Sequence, residues 1–573
     1  MPDAVRLVAA VLAAGLFLPA CGGGSAAPAG GPSTGVEQVF DPNVEAPAAP
    51  IQGARRGGTV TVLTWSVPDS LDPTHAYYAD TTTILSGLVT RSLTQYVWSP
   101  DSRSMVLIPD IATDLGTSNT NFTEWTFTIR DGVRFEDGTE VTAEDVAFGI
   151  KRSLDRDAFR GGATYSNDYF LNGDSYKGPY RSGIDYPGVV VNGDKLTVKM
   201  SRPFPEMPYY AAMPAMGPIP ATQSDPDTYG QHPLATGPYK FASDFRGESL
   251  TLVRNDEWDP ATDPGRHAYP DRYVFEFAVP ERRRDAAILA DSPGAQTTLS
   301  YDNVLPTSYA RARRLETLTL GSTNCIFYWA LDYRKITELK VRQAIGLAYP
   351  YKDVAPLWGF IYGVTFLPGT SMLPPGLPGH REYNVLGAPA GQTQPGKAKT
   401  LLREAGYAPG EYELRIPYDV SDPDQRKLMN LLVESYSEAG FTLSPYPVGN
   451  WRRLDGVKAD PNAPIDIRPS GWCPDWPSGS GIFPQVLHSQ GENNHSFFDE
   501  PAVDAEIERI GALPIEEQVA QWGALDERIM TDHYPILVGW YAGVAMPHGS
   551  RVGGMIADDF FGMPTWKDLH ILQ

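Results

Sequence analysis

The stretch from Trp125 to Leu154 restricts the possible folds of this chain more than any other part of the sequence. Apolar and polar residues alternate strictly through Trp125–Arg130, which is typical of a strand with one buried face. Two Asp-Gly pairs follow as tight-turn signals. Thr142 and Asp145 then have the spacing of a capping box, in front of apolar residues with a helical period. A strand, turns and a capped helix in so short a stretch indicate a mixed α/β fold.

The same alternation of strands and helices continues along the chain. With 573 residues, the chain is too long for one core, and about 150 residues per unit predicts two to four folded units. Strand patterns begin near Gly57 and recur at Tyr412–Pro417. Helical periodicity is predicted for four further segments: Thr82–Leu93, Val341–Ala348, Lys397–Ala405 and Asp424–Ala439.

The N-terminus has the pattern of an export signal. Leu7–Leu18 is an apolar run that is too short to span a bilayer as a helix, and it ends in Leu-Pro-Ala-Cys21. This resembles a bacterial lipobox, in which the cysteine is acylated and becomes the first mature residue. We therefore expect a signal peptide at 1–20, a lipid on Cys21 and a flexible Gly-, Ala- and Pro-rich tether over 21–56. The alternative is an ordinary secretory signal in which Cys21 has no special role.

The other two cysteines, Cys325 and Cys473, form an even pair in a chain expected to be exported. Disulfides persist in such compartments, so the two residues are candidates for a bond. Two buried free thiols are the alternative at this point.

Composition excludes several classes of function. The formal net charge is −22, which disfavours nucleic acid as a partner and disfavours charge-driven docking on anionic lipid. The common sequence motifs of zinc proteases, serine hydrolases, phosphate-binding loops and Cys-x-x-Cys sites are not found. We expect a monomer without metal or cofactor and without enzymatic activity.

Several segments together resemble extracellular solute-binding protein family 5 of the ABC importers. Trp125–Val146 matches its signature stretch, and the likeness covers nearly everything after Gly57. Further matches occur in the order of that family at Leu71–Pro73, Thr236–Lys240, Leu252–Asn255, Val341–Ile345, Leu373–Gly376 and Ala398–Gly406. Gly471–Trp476 and Asn324–Tyr328 are similar to the oligopeptide-binding members in particular.

The resemblance implies a two-lobed, periplasmic-binding-protein-like α/β fold with hinged lobes around a cleft. Lobe I would comprise 57–88, 217–324 and 543–573, with an extra subdomain at 89–216, and lobe II would comprise 325–542. The two chain crossings near Cys325 and Trp540 would form the hinge, so that the lobes close around a solute.

The resemblance also implies a Cys325–Cys473 disulfide and a role for Asp475, whose counterpart in the family pairs with the α-ammonium group of the ligand. A charge-assisted hydrogen bond would offset the cost of desolvating that ammonium group. The alternative for Asp475 is a turn-forming residue. Trp451 matches a tryptophan that walls a side-chain pocket, and an ordinary core tryptophan is the alternative. Further ligand contacts are expected from Gly471, Trp472, Cys473, Trp540, Tyr541, Tyr165, Tyr169, Tyr77 and Arg468.

One position departs from the family pattern. Relatives carry an arginine where this chain has Pro469. Arg468 is adjacent, but a shift of one residue in a strand reverses the face to which the side chain points. Recognition of the ligand's carboxylate, and with it the ligand's length, is therefore open.

These observations predict a lipid-anchored, extracytoplasmic receptor that captures oligopeptides and passes them to a membrane permease. The alternatives are the same kind of receptor for nickel, haem, a sugar or an antibiotic precursor, and a surface hydrolase.

Overall fold

A computed structural model describes residues 40–573 of the chain. The expected signal peptide, the lipidation site Cys21 and the tether up to residue 39 lie outside the described residues.

The secondary structure of the described part is mixed, as the alternating patterns predict. The strands are β1 (Thr59–Leu63), β2 (Thr94–Ser99), β3 (Ser104–Pro109), β4 (Thr117–Ser118), β5 (Glu124–Thr128), β6 (Val189–Asn192), β7 (Lys195–Lys199), β8 (Tyr239–Phe241), β9 (Ser249–Arg254), β10 (Arg272–Glu276), β11 (Thr298–Leu299), β12 (Leu318–Leu331), β13 (Phe366–Pro368), β14 (Glu413–Asp419), β15 (Thr442–Val448), β16 (Ile467–Trp472), β17 (Ile536–Pro547), β18 (Val552–Gly553) and β19 (His570–Ile571). The α-helices are α1 (Ala79–Ile84), α2 (Ala143–Arg152), α3 (Tyr165–Tyr169), α4 (Pro179–Ser182), α5 (Met207–Tyr210), α6 (Glu281–Ala290), α7 (Pro306–Leu315), α8 (Leu339–Ala348), α9 (Tyr351–Leu357), α10 (Pro395–Glu404), α11 (Pro423–Glu438), α12 (Trp451–Ala459), α13 (Phe483–Val486), α14 (Pro501–Gly511) and α15 (Ile515–Asp532).

Lobe I is built on a five-stranded sheet in the order β11-β1-β10-β9-β8. β1 is parallel to β10 and β11, while β9 is antiparallel to both of its neighbours. The core of lobe I contains side chains from the first part of the chain and from the C-terminal segment, among them Val60, Phe275 and Trp566. The C-terminal segment therefore completes the first lobe.

The extra subdomain contains the antiparallel sheet β4-β5-β7-β6 and the helix α2. Trp125 and Phe127 of β5 are buried while their neighbours are more exposed, as the alternation predicts. The capping box is confirmed: Thr142 accepts a hydrogen bond from the Asp145 backbone N–H, and the Asp145 carboxylate accepts one from the Thr142 backbone N–H. These two bonds fix the start of α2.

Lobe II has the largest core, formed by side chains between Ile326 and Tyr541. The antiparallel sheet β13-β17-β12-β16 lies against the parallel pair β14-β15 and the helices α8 to α15. β16 pairs with β12 on one side, and among the described strands none pairs with its other edge.

Two long neighbouring strands, β12 and β17, connect the lobes. They pair from Leu318–Pro547 to Ser322–Gly543, and pairing resumes at Ile326–Tyr541 after a shift in register. Because bulges bend a strand pair locally, this irregularity is where we expect a hinge between the lobes. The expected crossings, Cys325 and Trp540, both belong to this strand pair.

Residues 40–56, which were expected to belong to the flexible tether, lie on the folded body. Asp41 donates its backbone N–H to the Leu107 carbonyl at 3.0 Å, and Ala48 donates to the Asp263 carbonyl at 3.1 Å. The Phe40 ring packs on Tyr209 with 5.3 Å between centroids. A Pro- and Ala-rich stretch without periodicity resembles a linker, but here backbone hydrogen bonds and one aromatic side chain attach it.

The helix expected over Thr82–Leu93 also differs. It begins three residues earlier as α1 and continues as a π-helical turn over Leu85–Val89. Thr90 is extended, and its N–H donates to the Leu85 carbonyl. In residues 40–573, no helix combines the length and the apolar character needed to cross a membrane.

Candidate functional site

Asp475 lies where lobe I, the extra subdomain and lobe II meet. Its Oδ2 accepts a hydrogen bond from the Tyr77 hydroxyl of lobe I at 2.7 Å, and a second, short one from the Tyr165 hydroxyl of the subdomain. The cleft is therefore closed over Asp475 in this structure. Three of the residues expected to contact a ligand, Asp475, Tyr77 and Tyr165, therefore contact one another directly.

The backbone before Asp475 is held in place by close packing. Gly471 pairs with Phe327 in the sheet, and a Cβ atom at Gly471 would come within 2.8 Å of the Phe327 ring. The Sγ atoms of Cys325 and Cys473 are 1.97 Å apart, and their Cα atoms are 4.1 Å apart. This geometry fits the expected disulfide, which would tie the segment carrying Asp475 to the hinge strand β12.

The electrostatic environment of Asp475 favours a cationic partner. Burial raises the pKa of its carboxyl group, and the hydrogen bonds from Tyr165 and Tyr77 partly offset that rise. In turn, burial and the nearby Asp475 carboxylate raise the pKa of both phenols. A positively charged group at this place would complete a network in which a carboxylate now faces two neutral donors.

A large open cavity adjoins the free edge of β16 in lobe II. About 1650 Å³ lies between its walls, part of it open to solvent. Trp540 stacks on Phe327 with 4.7 Å between ring centroids and lies 4.9 Å from the ring of Trp358. These rings line the cavity together with Gly471. An extended backbone along β16 would thus have aromatic walls within reach of its side chains.

The other tyrosines and Trp472 expected to contact ligand are engaged in the protein. The Tyr541 hydroxyl accepts from the backbone N–H groups of Thr370 and Ser371, so it is fixed inside lobe II. Tyr169 stacks on Phe204 in the subdomain core, 4.1 Å between centroids. Trp472 donates its indole N–H to the Gly481 carbonyl at 2.6 Å.

Arg468 has no surface available to a ligand, because its side chain is fully buried. The guanidinium donates to Asp332 at 3.0 Å and to the Lys458 carbonyl at 3.1 Å. This removes Arg468 from the candidate site, since a buried ion pair would have to break before it could reach a ligand. Trp451 is 62% exposed at the first turn of α12, so the core alternative does not apply to it.

Sequence reasoning missed two residues that join the lobes. Trp476 of lobe II is 2% exposed and lies in the core of the extra subdomain, 4.6 Å from the Tyr165 ring and 5.9 Å from the Phe204 ring. Glu206 of the subdomain is buried beside Ser480 and Gln518 of lobe II. A tryptophan directly after Asp475 is the only local signal that could have suggested either contact.

Searched through residues 40–573, the structure contains no group of three or more His, Cys, Asp or Glu side chains that could hold a metal ion.

Solved structures share this architecture over nearly the whole chain. The clavulanic acid biosynthesis oligopeptide binding protein 2 matches with a TM-score of 0.79 and 23% identity, covering 93% of this chain and 99% of that one. The periplasmic binding protein DppA of Helicobacter pylori, solved with the peptide STSA, matches with a TM-score of 0.66 and 18% identity, covering 91% and 99%. The fold is thus that of the two-lobed periplasmic binding proteins.

The family follows from the sequence comparison. The model of "Bacterial extracellular solute-binding proteins, family 5 Middle" matches residues 106–494, so this chain belongs to that family. The periplasmic oligopeptide-binding protein OppA of Salmonella typhimurium is 22% identical over 472 residues, which cover 79% of this chain and 83% of OppA. The glutathione-binding protein GsiB of Salmonella typhi is 26% identical over 368 residues, 61% of this chain and 62% of GsiB.

Proposed function

We propose that this protein is the receptor of an ABC importer for oligopeptides, which it encloses between its lobes and delivers to a membrane permease. The observation that carries the proposal is the position of Asp475. Its carboxylate lies at the junction of three structural units, three residues after the end of β16, with only neutral partners. A peptide has a cationic amino end next to an extended backbone, which is the matching arrangement of groups.

Binding would proceed by the addition of a strand. The peptide backbone would pair with the free edge of β16 near Gly471, which gives affinity independent of side-chain sequence. The open cavity lined by Trp540 would accommodate the side chains of the peptide without close packing. Since the arginine expected from the family pattern is not present at Pro469, Lys458, which lines the same cavity, is the candidate cation for the peptide carboxylate.

Closure would make the shape of the protein depend on whether a ligand is bound. Ligand that contacts both lobes stabilises the closed state over the open one, and only this difference in affinity shifts the equilibrium. A permease would bind the closed form. The lipid on Cys21 and the tether would hold the receptor at the outer face of the cell membrane. The Cys325–Cys473 disulfide would keep the Asp475 segment in place throughout.

Replacing Asp475 tests the proposal. Peptides from a tetrapeptide library that raise the melting temperature of the wild type are compared with their N-acetylated forms by calorimetry. Asp475→Asn should weaken the free peptides about ten- to a hundredfold, because a charge-assisted bond is lost, and should change the acetylated ones little. The exposed Asp532→Asn is the matched control. Equal weakening of both peptide forms would remove Asp475 as the ammonium site.

Recovery of the bound material separates the receptor from its alternatives. Native mass spectrometry of protein purified from its own host should find intact peptides. Cleavage fragments would indicate a hydrolase, and a metal, haem or sugar would indicate a receptor for a different solute.

A further inference from the structure

A group of arginines lies at one end of lobe I, where β1 and β10 begin and where α6 and α7 end. We call this group the basic end, and it consists of Arg55, Arg56, Arg272, Arg313, Arg314 and Arg551. All of them are exposed except Arg551, which is half-buried. Within residues 40–573, none of their guanidinium groups forms an ion pair with a carboxylate, unlike the neighbouring Arg254 and Arg284.

The parallel strands of lobe I explain why these residues meet. β10 and β11 both run parallel to β1, so all three strands begin at the same end of the sheet. Arg272 is opposite the first residue of β1, so the chain just before β1 lies beside it. Arg551 donates its backbone N–H to the carbonyl of Gln296, just before β11, at 2.9 Å. The helices run back to this end as well, because the Arg311 guanidinium donates to the Leu289 carbonyl at 2.7 Å and joins the last turns of α7 and α6.

The basic end concentrates positive charge in a molecule whose formal net charge is −22. Few carboxylates accompany it: Asp271 already pairs with Arg254 at 3.1 Å, and Asp291 and Glu316 follow α6 and α7. The net charge disfavours docking of the molecule as a whole on anionic lipid, but it does not describe this end. At about 0.15 M salt the Debye length is about 8 Å, so the charges nearest to a surface decide whether contact is favourable.

Two exposed leucines lie among these arginines. Leu315 directly follows Arg314 and is 46% exposed, and Leu572 is 42% exposed. The Leu572 carbonyl accepts a hydrogen bond from the Arg551 guanidinium at 2.8 Å, so Leu572 belongs to the same end. An apolar side chain beside cationic groups suits the membrane–water interface, where it enters the boundary between headgroups and acyl chains.

The basic end lies at the opposite end of the sheet from Asp475. Ser66, just after β1, donates to the Asp80 carboxylate at 3.4 Å, so the segment containing Tyr77 lies where β1 ends. The Tyr77 hydroxyl donates to Asp475. A contact made where β1 begins would therefore leave the cleft accessible to peptides.

We propose that the basic end rests on the anionic phospholipid headgroups of the membrane and thereby orients the receptor. The proposal goes beyond the proposed function and depends only on its location at a membrane. A lipid on Cys21 would limit the distance between receptor and membrane, but it would not decide which side of the receptor faces the membrane. Guanidinium groups bind phosphate oxygens in pairs, and the exposed leucines favour a lipid surface over an acidic protein surface.

The test uses a form of the protein in which Cys21→Ser removes the lipid. This parent protein is sedimented with vesicles of phosphatidylcholine alone and with vesicles that also contain phosphatidylglycerol. The variant Arg313→Gln/Arg314→Gln removes two charges from the basic end. Arg452→Gln/Arg453→Gln is the matched control, because these adjacent, exposed arginines begin α12 in lobe II.

The parent protein should sediment with the anionic vesicles and not with phosphatidylcholine alone. About 1 M salt should release it, because the Debye length then falls to about 3 Å. Arg313→Gln/Arg314→Gln should weaken binding about tenfold, since each arginine near an anionic surface contributes to the attraction. The control pair should bind like the parent, and peptide affinity should be the same in all three proteins.

A dye that responds to its surroundings reports which side of the protein meets the vesicle. It is attached to Leu315→Cys, or to Val190→Cys as control, because Val190 is 41% exposed on β6 of the extra subdomain. Anionic vesicles should shift the emission of the dye to shorter wavelength at position 315 and leave it unchanged at position 190.

Equal sedimentation with the two kinds of vesicle would overturn the proposal, as would equal loss of binding in the two arginine variants. A shift of the dye emission at position 190 but not at position 315 would also overturn it. Failure to bind anionic vesicles at low salt would do the same, and would leave an acidic protein surface as the partner of the basic end. None of these outcomes bears on the proposed function, which the peptide titrations of Asp475→Asn test separately.

Discussion

At the scale of single residues, Glu206 is a buried carboxyl group at the contact between the subdomain and lobe II. Its carboxyl group is buried, and Oε1 has no hydrogen-bond partner among the described residues. Desolvation raises its pKa from 4.5 to about 7, while Ser480 and Gln518 offset only part of the rise. The buried Glu206 carboxyl group at this contact therefore changes its charge near neutral pH.

The sign of the pH effect follows from the raised pKa. Protonation of Glu206 is favoured by folding, so its contribution to stability is fully present below pH 4.5 and is lost as the pH rises to about 7. The shift corresponds to roughly 3 kcal/mol. Glu206→Gln should remove this dependence, so that at pH 8 the variant unfolds at higher denaturant concentration than the wild type and at pH 4 at a similar one. Urea titrations at both values measure this, with the exposed Glu516→Gln as control. Parallel pH profiles of wild type and Glu206→Gln would contradict the assignment.

At the scale of elements, α2 owes its first turn to the capping box. Thr142→Ala removes the side-chain acceptor for the Asp145 N–H and should cost about 1 kcal/mol. Faster hydrogen exchange at the first amides of α2 would report the loss. Thr400→Ala is the matched control, because Thr400 is exposed inside α10 and bonds back to the Gly396 carbonyl. A threonine there is neutral or unfavourable for the helix. Equal exchange changes in both variants would speak against the cap.

The strand β12 and the segment after β16 are expected to share a disulfide. The two cysteines are 148 residues apart, and closing a loop of that size stabilises by about 4–5 kcal/mol in the chain-entropy model. Cys325→Ser/Cys473→Ser should lower the unfolding midpoint, and reducing agent should do the same for the wild type. A form of the protein that lacks Cys21 is unfolded without reducing agent and its thiols are titrated. This titration should find no free thiol. Two titratable thiols would show that the bond is not formed.

Local sequence patterns predicted the secondary-structure elements better than they predicted contacts between residues far apart in the sequence. The alternation in β5 and the spacing of Thr142 and Asp145 depend on neighbours in sequence, and both are confirmed. Arg468 was expected near the ligand, but its partner Asp332 is 136 positions away and no local pattern marks it. The attachment of residues 40–56 was missed for the same reason, since backbone hydrogen bonds leave no trace in composition.

At the scale of the whole molecule, Trp476 is a buried apolar contact between lobe II and the core of the subdomain. Removing a buried tryptophan of this kind costs about 3–5 kcal/mol where it packs. Trp476→Ala should therefore shift the ligand-free protein towards the open state and increase its radius of gyration in X-ray scattering. Peptide affinity should fall as well, because the closed state is less populated. Trp451→Ala, at an exposed tryptophan, should leave the ligand-free scattering unchanged. An unaltered radius of gyration in Trp476→Ala would show that other contacts keep the cleft closed.

The two-lobed arrangement itself could be expected from the sequence through its likeness to a family, whereas closure over Asp475 could not. Tyr77, Tyr165 and Asp475 were each expected near the ligand, yet their mutual hydrogen bonds depend on how far the lobes rotate. That rotation is set by contacts such as Trp476, which involve positions hundreds of residues apart.

The strand pair β12–β17 has a consequence for how the gene could be divided. Ser322 and Gly543 are direct neighbours in the sheet, so the chain leaves the first lobe and returns to it at adjacent points. Topologically, residues 323–542 are an insertion into a β-hairpin. A short turn between Ser322 and Gly543 would restore that hairpin. Residues 323–542 would then form a separate unit whose two ends lie next to each other.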